Sequence, residues 1–278
     1  MIGIFVNPQA GKGKALQTAA QLEKILMEKE AAFVVYTHSW PGHLQNCSEA
    51  WIVGGDGTLN YFINQYPNIN IPLAIFKGGT GNDFAWQLYG DMTTAEQAAH
   101  VLLTNPKPVD AAGCNGKLFI NSVGIGFDGE VLQSMGAIRS MGGHLGYLWV
   151  VIKKIFSFKE FDFTISFDDT EINNRFLLVN IANASRTGGG FKISPQAVVD
   201  DGKLNLVLCS PLSIVKRLRF LPIIEKGKHL QLSFIQHRHV TSIKVAANKT
   251  VFAQLDGELI QSADFDIKIL PGYFLFKY

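Results

Sequence analysis

A chain of 278 residues that is 47% hydrophobic, only 17% charged and +2 in net charge has enough apolar side chains for one large core or two modest ones. Its 20 Phe and 4 Trp exclude a disordered chain, and the composition excludes a collagen-like fibre. Cys47, Cys114 and Cys209 are far apart with no CxxC pair, which excludes a disulfide scaffold and reads as three buried thiols in a reduced, cytoplasmic chain.

The first residues, Met1 to Val6, are apolar, but no basic region precedes them and Asn7-Pro8 follows at once, so they predict a strand rather than a signal peptide. Leu16, Ala19, Ala20, Leu22, Ile25 and Leu26 recur at helical spacing. Strands are predicted at Ala32 to Tyr36, Trp51 to Val53 and Ile71 to Phe76. Helices are predicted from Thr58 and from about Gly81 to Leu88. Thr93 and Glu96 form a capping-box pattern ahead of Ala98 to Leu103. This alternation predicts a parallel sheet with helices on both faces.

Beyond about residue 110 the period becomes two. Phe161, Phe163, Ile165 and Phe167 alternate with polar residues, as do Leu204, Leu206 and Leu208, then less regularly Val240, Ile243 and Val245, and finally Phe265, Ile267 and Ile269. Such segments predict antiparallel strands wet on one side, interrupted by helices near 146–156 and 212–224. The apolar run from Gly146 to Ile152 stops at Lys153-Lys154, well short of the roughly 20 residues a membrane span needs. The expected fold is therefore an α/β domain over 1–110 and a β-rich domain over 111–270, with a ligand site in the cleft they form.

Charge is distributed unevenly. Residues 1–110 hold 6 Lys and Arg against 9 Asp and Glu, and 111–278 hold 19 against 14. Lys153, Lys154 and Lys159 form one basic group, and Lys216, Arg217, Arg219, Lys226 and Lys228 another, both beside apolar stretches. A solvated face accounts for such groups, and so does a surface that attracts anionic lipid headgroups. Nothing in the sequence points to a nucleic-acid partner.

Three turns in the first half share the layout strand, glycine cluster, helix. They are Asn7-Pro8-Gln9-Ala10-Gly11-Lys12-Gly13-Lys14, Gly54-Gly55-Asp56-Gly57-Thr58-Leu59-Asn60 and Gly78-Gly79-Thr80-Gly81-Asn82-Asp83. In a parallel sheet all three lie at one edge. Glycine lets backbone approach phosphate, helix starts present N–H groups, and Thr58, Thr80, Lys12 and Lys14 add donors and charge. Any one of these turns alone reads as a tight strand-to-helix connection; together they suggest a polyphosphate site. Neither GxxxxGK[ST] nor GxGxxG is present, so the site is of another kind. Asp56 and Asp83 would repel phosphate unless Mg²⁺ or a transferred proton accounts for them, and Asp83 also suits a helix N-terminus.

These motifs resemble the lipid kinase family of bacterial diacylglycerol kinases, ceramide kinases and sphingosine kinases. The resemblance rests on Gly54 to Asn60, then Gly79-Thr80-Gly81-Asn82-Asp83-Phe84-Ala85, Asn121-Ser122-Val123-Gly124-Ile125-Gly126-Phe127-Asp128, Asp200-Asp201-Gly202-Lys203-Leu204 and Leu255-Asp256-Gly257-Glu258. It implies a phosphofructokinase-like N-terminal domain, a C-terminal β-sandwich lipid-substrate domain, and a last strand, 271–278, returning to the first domain. It implies ATP held by Asn7, Pro8, Gly11, Lys12, Gly13, Thr37, Gly54, Gly55, Gly57, Thr58, Leu59, Asn60, Thr80, Asn82 and Asp83. Asp56 would organise a catalytic Mg²⁺ through water or accept a proton, Asp256 would join the Mg²⁺–water network, and Glu258 matches the position usually assigned as proton acceptor. Asp201, with the carbonyls of Val198 and Lys203, would hold a structural Mg²⁺, and Asp110 matches a cleft aspartate. The implied activity is ATP-dependent phosphorylation of a lipid hydroxyl, diacylglycerol or a relative, at the inner membrane face, by a peripheral enzyme for which a homodimer is compatible. Two positions depart from the family pattern. Lys77-Gly78 precedes the third turn and Tyr61 follows the second, and Lys77 could be an added phosphate contact. NAD kinase, which shares Gly-Gly-Asp-Gly-Thr, and a non-catalytic nucleotide or lipid binder are the competing readings.

Overall fold

The computed structural model describes residues 1–136 and 144–278. The chain divides into two compact units, Met1–Val109 with Gly272–Tyr278, and Asp110–Pro271.

In the first unit β1 (Ile2–Val6), α1 (Lys14–Glu28), β2 (Phe33–Tyr36), β3 (Glu49–Gly54), α2 (Asp56–Gln65), β4 (Leu73–Lys77), α3 (Asp83–Tyr89) and α4 (Thr94–Leu103) follow in order. The strands are parallel in the order β4-β3-β1-β2. Phe276, near the chain's C-terminus, pairs in parallel with Leu73 beside β4. β1 is buried along its whole length, as a strand covered on both faces must be. α1 buries Ala15, Thr18, Ala19, Leu22 and Leu26, one helical face. The capping box forms as the sequence predicts, Thr93 accepting from Glu96 N and Glu96 reaching back to Thr93 N. Phe274 and Phe276 are fully buried, and Lys277 pairs with Glu49 at 2.7 Å, so the last residues of the chain are part of this unit's core.

β5 (Lys107–Cys114) leads into the second unit, which continues with β6 (Lys117–Phe119), β7 (Ser122–Gly126), α5 (Phe127–Gly136), α6 (His144–Ser157), β8 (Phe161–Phe167), β9 (Thr170–Phe176), β10 (Leu178–Ala182), β11 (Leu204–Cys209), α7 (Ile214–Glu225), β12 (Ile235–Val240), β13 (Ser242–Leu255) and β14 (Glu258–Phe276). Here the pairing is antiparallel, in the order β12-β11-β10-β7-β13-β14. β8 and β9 form a hairpin on the first half of β13. A register shift between Ala246 and Val251 lets β13 pair with β8 in one half and with β7 in the other. The alternating residues predicted to face inward do so: Phe163, Ile165, Leu204, Leu206, Leu208, Ile243, Val245, Phe265 and Ile267 share one core. A second apolar cluster lies under α7 and a third under α6. The expected class, an α/β domain followed by a β-sandwich-like domain, is the observed one.

Candidate functional site

The first unit brings its three glycine turns into direct contact. Asn7 fastens the first turn to the second: its amide donates to Thr58 Oγ1 at 3.0 Å, while its side-chain oxygen accepts the Gln9 N–H at 3.1 Å. Gly11, Lys12 and Gly13 are all left-handed, with φ of 58°, 54° and 93°. A Cβ at Gly11 would overlap the Gly78 carbonyl oxygen, so the first turn lies on the third. Gly78 N donates to Gly54 O at 2.8 Å, and a Cβ at Gly79 would lie 2.5 Å from Gly55 Cα. Only bare backbone fits there.

The N-caps of α1 and α2 are Gly13 and Gly55, which have no side chain to accept from the helix's first N–H groups. Two helix starts thus present backbone donors at this rim. Thr58 N and Leu59 N are not among them, because both bond to Gly55 O. Leu59 lies in the core at 0% exposure, and Asn60 is 6% exposed with its carbonyl and side-chain oxygen both accepting from Asn64. Of the residues expected to hold the nucleotide, Thr58 and Leu59 therefore have their N–H groups turned to the helix's own backbone.

The third helix differs. Asp56 accepts from Asp83 N at 3.1 Å and Phe84 N at 2.9 Å, so this carboxylate caps α3 from the first turn of α2. Asn82, left-handed at φ 53°, closes a ring on the Gly79 peptide, accepting from its N–H at 2.8 Å and donating to its carbonyl at 3.0 Å. Asp83 is itself buried in the first turn of α3. Thr80 is exposed and Thr37 half-buried just past β2. Lys77 reaches the Gly90 carbonyl at the end of α3, a helix C-cap contact rather than an additional phosphate ligand. Tyr61 is 60% exposed and packs edge-on against Trp40.

In the second unit, Asp256-Gly257 forms a hairpin turn with φ of 47° and 85°, as Asp-Gly favours. The Asp256 carboxylate, 3% exposed, accepts three successive backbone N–H groups, from Ile120 at 2.8 Å and from Asn121 and Ser122 at 2.9 Å. Its visible work is to clamp the entry to β7 (Ser122–Gly126). Glu258, two residues on, is exposed. Asp110 accepts from Gly202 N at 2.6 Å, which fixes the Asp200-to-Lys203 turn. Asp201 is exposed and accepts from Lys203 N at 3.0 Å, and Val198 is 46% exposed. A solvent-facing carboxylate suits a largely hydrated Mg²⁺, and no group of three or more Asp, Glu, His or Cys side chains that could hold a metal ion occurs among the described residues.

One residue of this unit escaped the sequence analysis as a site residue. Asp128, in the first turn of α5, has an Oδ2 sealed from solvent without a hydrogen-bond partner. Burial pushes its carboxyl up to about 7, against the opposing pull of the facing Asn180 side chain. The carboxylate packs over Gly124, where a Cβ would overlap it. It borders an apolar pocket lined by Phe127, Val151, Ile155, Leu178, Phe191 and Phe220. Its signal in the sequence was an acid two residues beyond a Gly-Ile-Gly run at a strand end.

Convergent glycine turns on a parallel sheet, two helix starts without side-chain caps and an antiparallel sandwich-like unit are the architecture of a two-domain kinase class. Residues 1–114 match the family described as diacylglycerol kinase catalytic domain, and 121–275 match the YegS C-terminal NAD kinase beta sandwich-like domain. The chain is 30% identical to the "Probable lipid kinase YegS-like" of Pseudomonas aeruginosa strain UCBPP-PA14 over 223 residues, covering 79% of this chain and 72% of that protein. It is 26% identical to the "Diacylglycerol kinase" of Bacillus subtilis strain 168, over 74% of this chain and 69% of that one. A crystal structure of "a putative diacylglycerol kinase from Bacillus anthracis str. Sterne" superposes with a TM-score of 0.82 at 26% identity, covering 100% of this chain and 94% of that one. The chain belongs to the diacylglycerol kinase-like, YegS-type lipid kinase family. Among the described residues no helix is long and apolar enough to cross a membrane.

Proposed function

We propose that this protein transfers the γ-phosphate of ATP to the hydroxyl of a lipid, diacylglycerol or a close relative. The observation that carries this reading is the mutual contact of the three glycine turns, bare backbone against bare backbone, beside two helix starts whose N-caps, Gly13 and Gly55, have no side chain, a setting suited to a triphosphate. Mg²⁺–ATP supplies the phosphoryl group and neutralises its charge, so the chain's task is largely positioning. Asn7 holds Thr58 toward the first turn, and Lys12 and Lys14 add positive charge. Asp56 keeps α3 docked through its two amide contacts and contributes negative charge for the metal. Glu258, exposed after the Asp256-Gly257 turn, takes the proton of the acceptor hydroxyl, a role commonly worth about 10²–10⁴-fold in rate. Asp256 serves this step by fixing the turn. Asp201 and the carbonyls of Val198 and Lys203 hold a structural Mg²⁺.

The acceptor side is supported by the apolar pocket of the second unit. A hydrocarbon chain suits its Phe, Val, Ile and Leu lining, and Asp128, its Oδ2 unpartnered, offers a polar contact for the lipid's headgroup end. Incubation with γ-labelled ATP and either dispersed diacylglycerol or NAD tests the reading. Label in the lipid is expected. Label in NAD instead would replace the acceptor, and ATP binding with transfer to neither would leave a nucleotide binder.

A further inference from the structure

α6 and α7 each carry an apolar stripe that is exposed among the described residues. On α6 the buried side is Val150, Val151 and Ile155, packed with Val131 at 2–3% exposure. The opposite side carries Trp149, Ile152 and Phe156, exposed by 50%, 37% and 57%. Their spacing of three and four places them on one helical stripe. Lys153 stands beside them, its ammonium 5.5 Å from the centre of the Trp149 ring. On α7, Ile214, Val215 and Leu218 are exposed by 42%, 58% and 39%, interleaved with exposed Lys216 and Arg219.

The basic groups are not uniformly available. Lys154 is paired with Glu130 at 2.7 Å. Arg217 is buried, and its guanidinium donates to the Ile155 and Phe158 carbonyls at 2.9 and 3.0 Å and to Glu160 at 2.6 Å. It thereby pins the start of α7 to the end of α6, so the two stripes belong to one rigid helical pair. Lys153, Lys159, Lys216 and Arg219 are exposed.

We infer that this helical pair is the surface by which the protein docks on an anionic lipid bilayer, with Trp149, Ile152 and Phe156 entering the headgroup–acyl boundary and the exposed Lys and Arg side chains meeting lipid phosphates. Three observations select this occupant over a protein partner. Large apolar side chains alternate with cations and no acidic residue interrupts either exposed stripe. Trp and Phe are the side chains suited to the interface, the Trp ring with its N–H above all. The Lys153 ammonium sits over the Trp149 ring, as a lysine does whose stem follows an apolar surface while its charge stays in water. The inference deepens the lipid-kinase reading and rests on it only for the purpose of docking.

The test uses the full chain and Trp149→Ser/Phe156→Ser, both positions exposed enough for the fold to survive, with the thermal midpoint measured alongside. Sedimentation with phosphatidylcholine vesicles containing phosphatidylglycerol should carry down the parent, and pure phosphatidylcholine should carry down much less. The double variant should bind the anionic vesicles about tenfold more weakly, or worse, given the apolar area withdrawn. Added salt should weaken the parent, as it screens Lys153, Lys216 and Arg219. Both proteins should phosphorylate short-chain diacylglycerol in detergent micelles equally. Equal vesicle binding by parent and variant would overturn the inference, as would a parent that ignores anionic vesicles or a dimer that the double substitution dissociates. If neither protein transfers phosphate, the proposed activity fails while the sedimentation result still decides the docking surface.

Discussion

Asp256→Asn separates a structural carboxylate from a catalytic one. The native side chain takes three N–H groups, two on Oδ1 and one on Oδ2. An asparagine is nearly the same shape and tolerates the left-handed φ of 47° at this position, so the substitution adds no backbone strain. Its single oxygen can accept from Asn121 and Ser122, but its NH₂ then faces the Ile120 N–H, donor against donor. One buried N–H left unsatisfied costs about 1–3 kcal/mol, and two charge-assisted bonds reduced to neutral ones lose about 0.5–1 kcal/mol each. The total is about 2–5 kcal/mol. Urea unfolding followed by circular dichroism should show the midpoint fall accordingly, with activity per folded molecule largely retained. Asp256→Ala, which abandons all three amides and strains the turn, should cost more. A midpoint that stays in place while phosphate transfer disappears would refute the clamp and return Asp256 to the chemistry.

Other outcomes follow from single contacts. Asp128, with its carboxyl raised to about 7 by burial, binds a proton more tightly folded than unfolded. Stability should therefore fall as pH rises from about 4 to about 7 and then level off, and Asp128→Asn should flatten that slope, as thermal midpoints across the range would show. Arg217→Met should leave Glu160 and the Ile155 and Phe158 carbonyls at the end of α6 without their partner, at about 3–5 kcal/mol of stability, measured by denaturant titration; a loss under about 1 kcal/mol would contradict the pinning of α7 to α6.

The parallel sheet was legible because its strands are short apolar runs closed by glycine turns, and turn chemistry and helical period mark the same boundaries. The inward face of β8 was legible because its other side is partly wet, which makes the alternation visible; β11, expected to be wet on one side, is instead buried at every residue, with Val207 and Cys209 facing the cluster under α7. β9 was not: Thr170–Phe176 reads Thr-Glu-Ile-Asn-Asn-Arg-Phe and is exposed along most of its length, an edge strand held by its hairpin rather than by a buried face. α5 was hidden because it begins directly at the end of β7, where Gly124 and Gly126 read as a turn. β14 runs for 19 residues through Pro271 and Gly272, which in sequence look like its end.

The candidate site divides the same way. Glycine clusters can be seen in a sequence, and so could their gathering at one sheet edge. What the carboxylates do could not be seen, because an acid's partners here are backbone amides far along the chain. Asp56 caps a helix 27 residues away and Asp256 holds amides more than 130 residues away. Lys77, placed beside a glycine turn, reaches the Gly90 carbonyl at the end of α3.

Gly79→Ala tests the cradle itself. The added methyl would lie 2.5 Å from Gly55 Cα and 2.9 Å from Gly55 N, which real carbon contacts do not allow, so the second and third turns must part at the rim proposed for the triphosphate. Titration calorimetry of Mg²⁺–ATP into the parent and the variant, each folded by circular dichroism, reads the consequence directly. The parent should bind and the variant should bind at least about tenfold more weakly, a loss of about 1.4 kcal/mol. Equal affinity in the two proteins, or no nucleotide binding by the parent, would contradict the account.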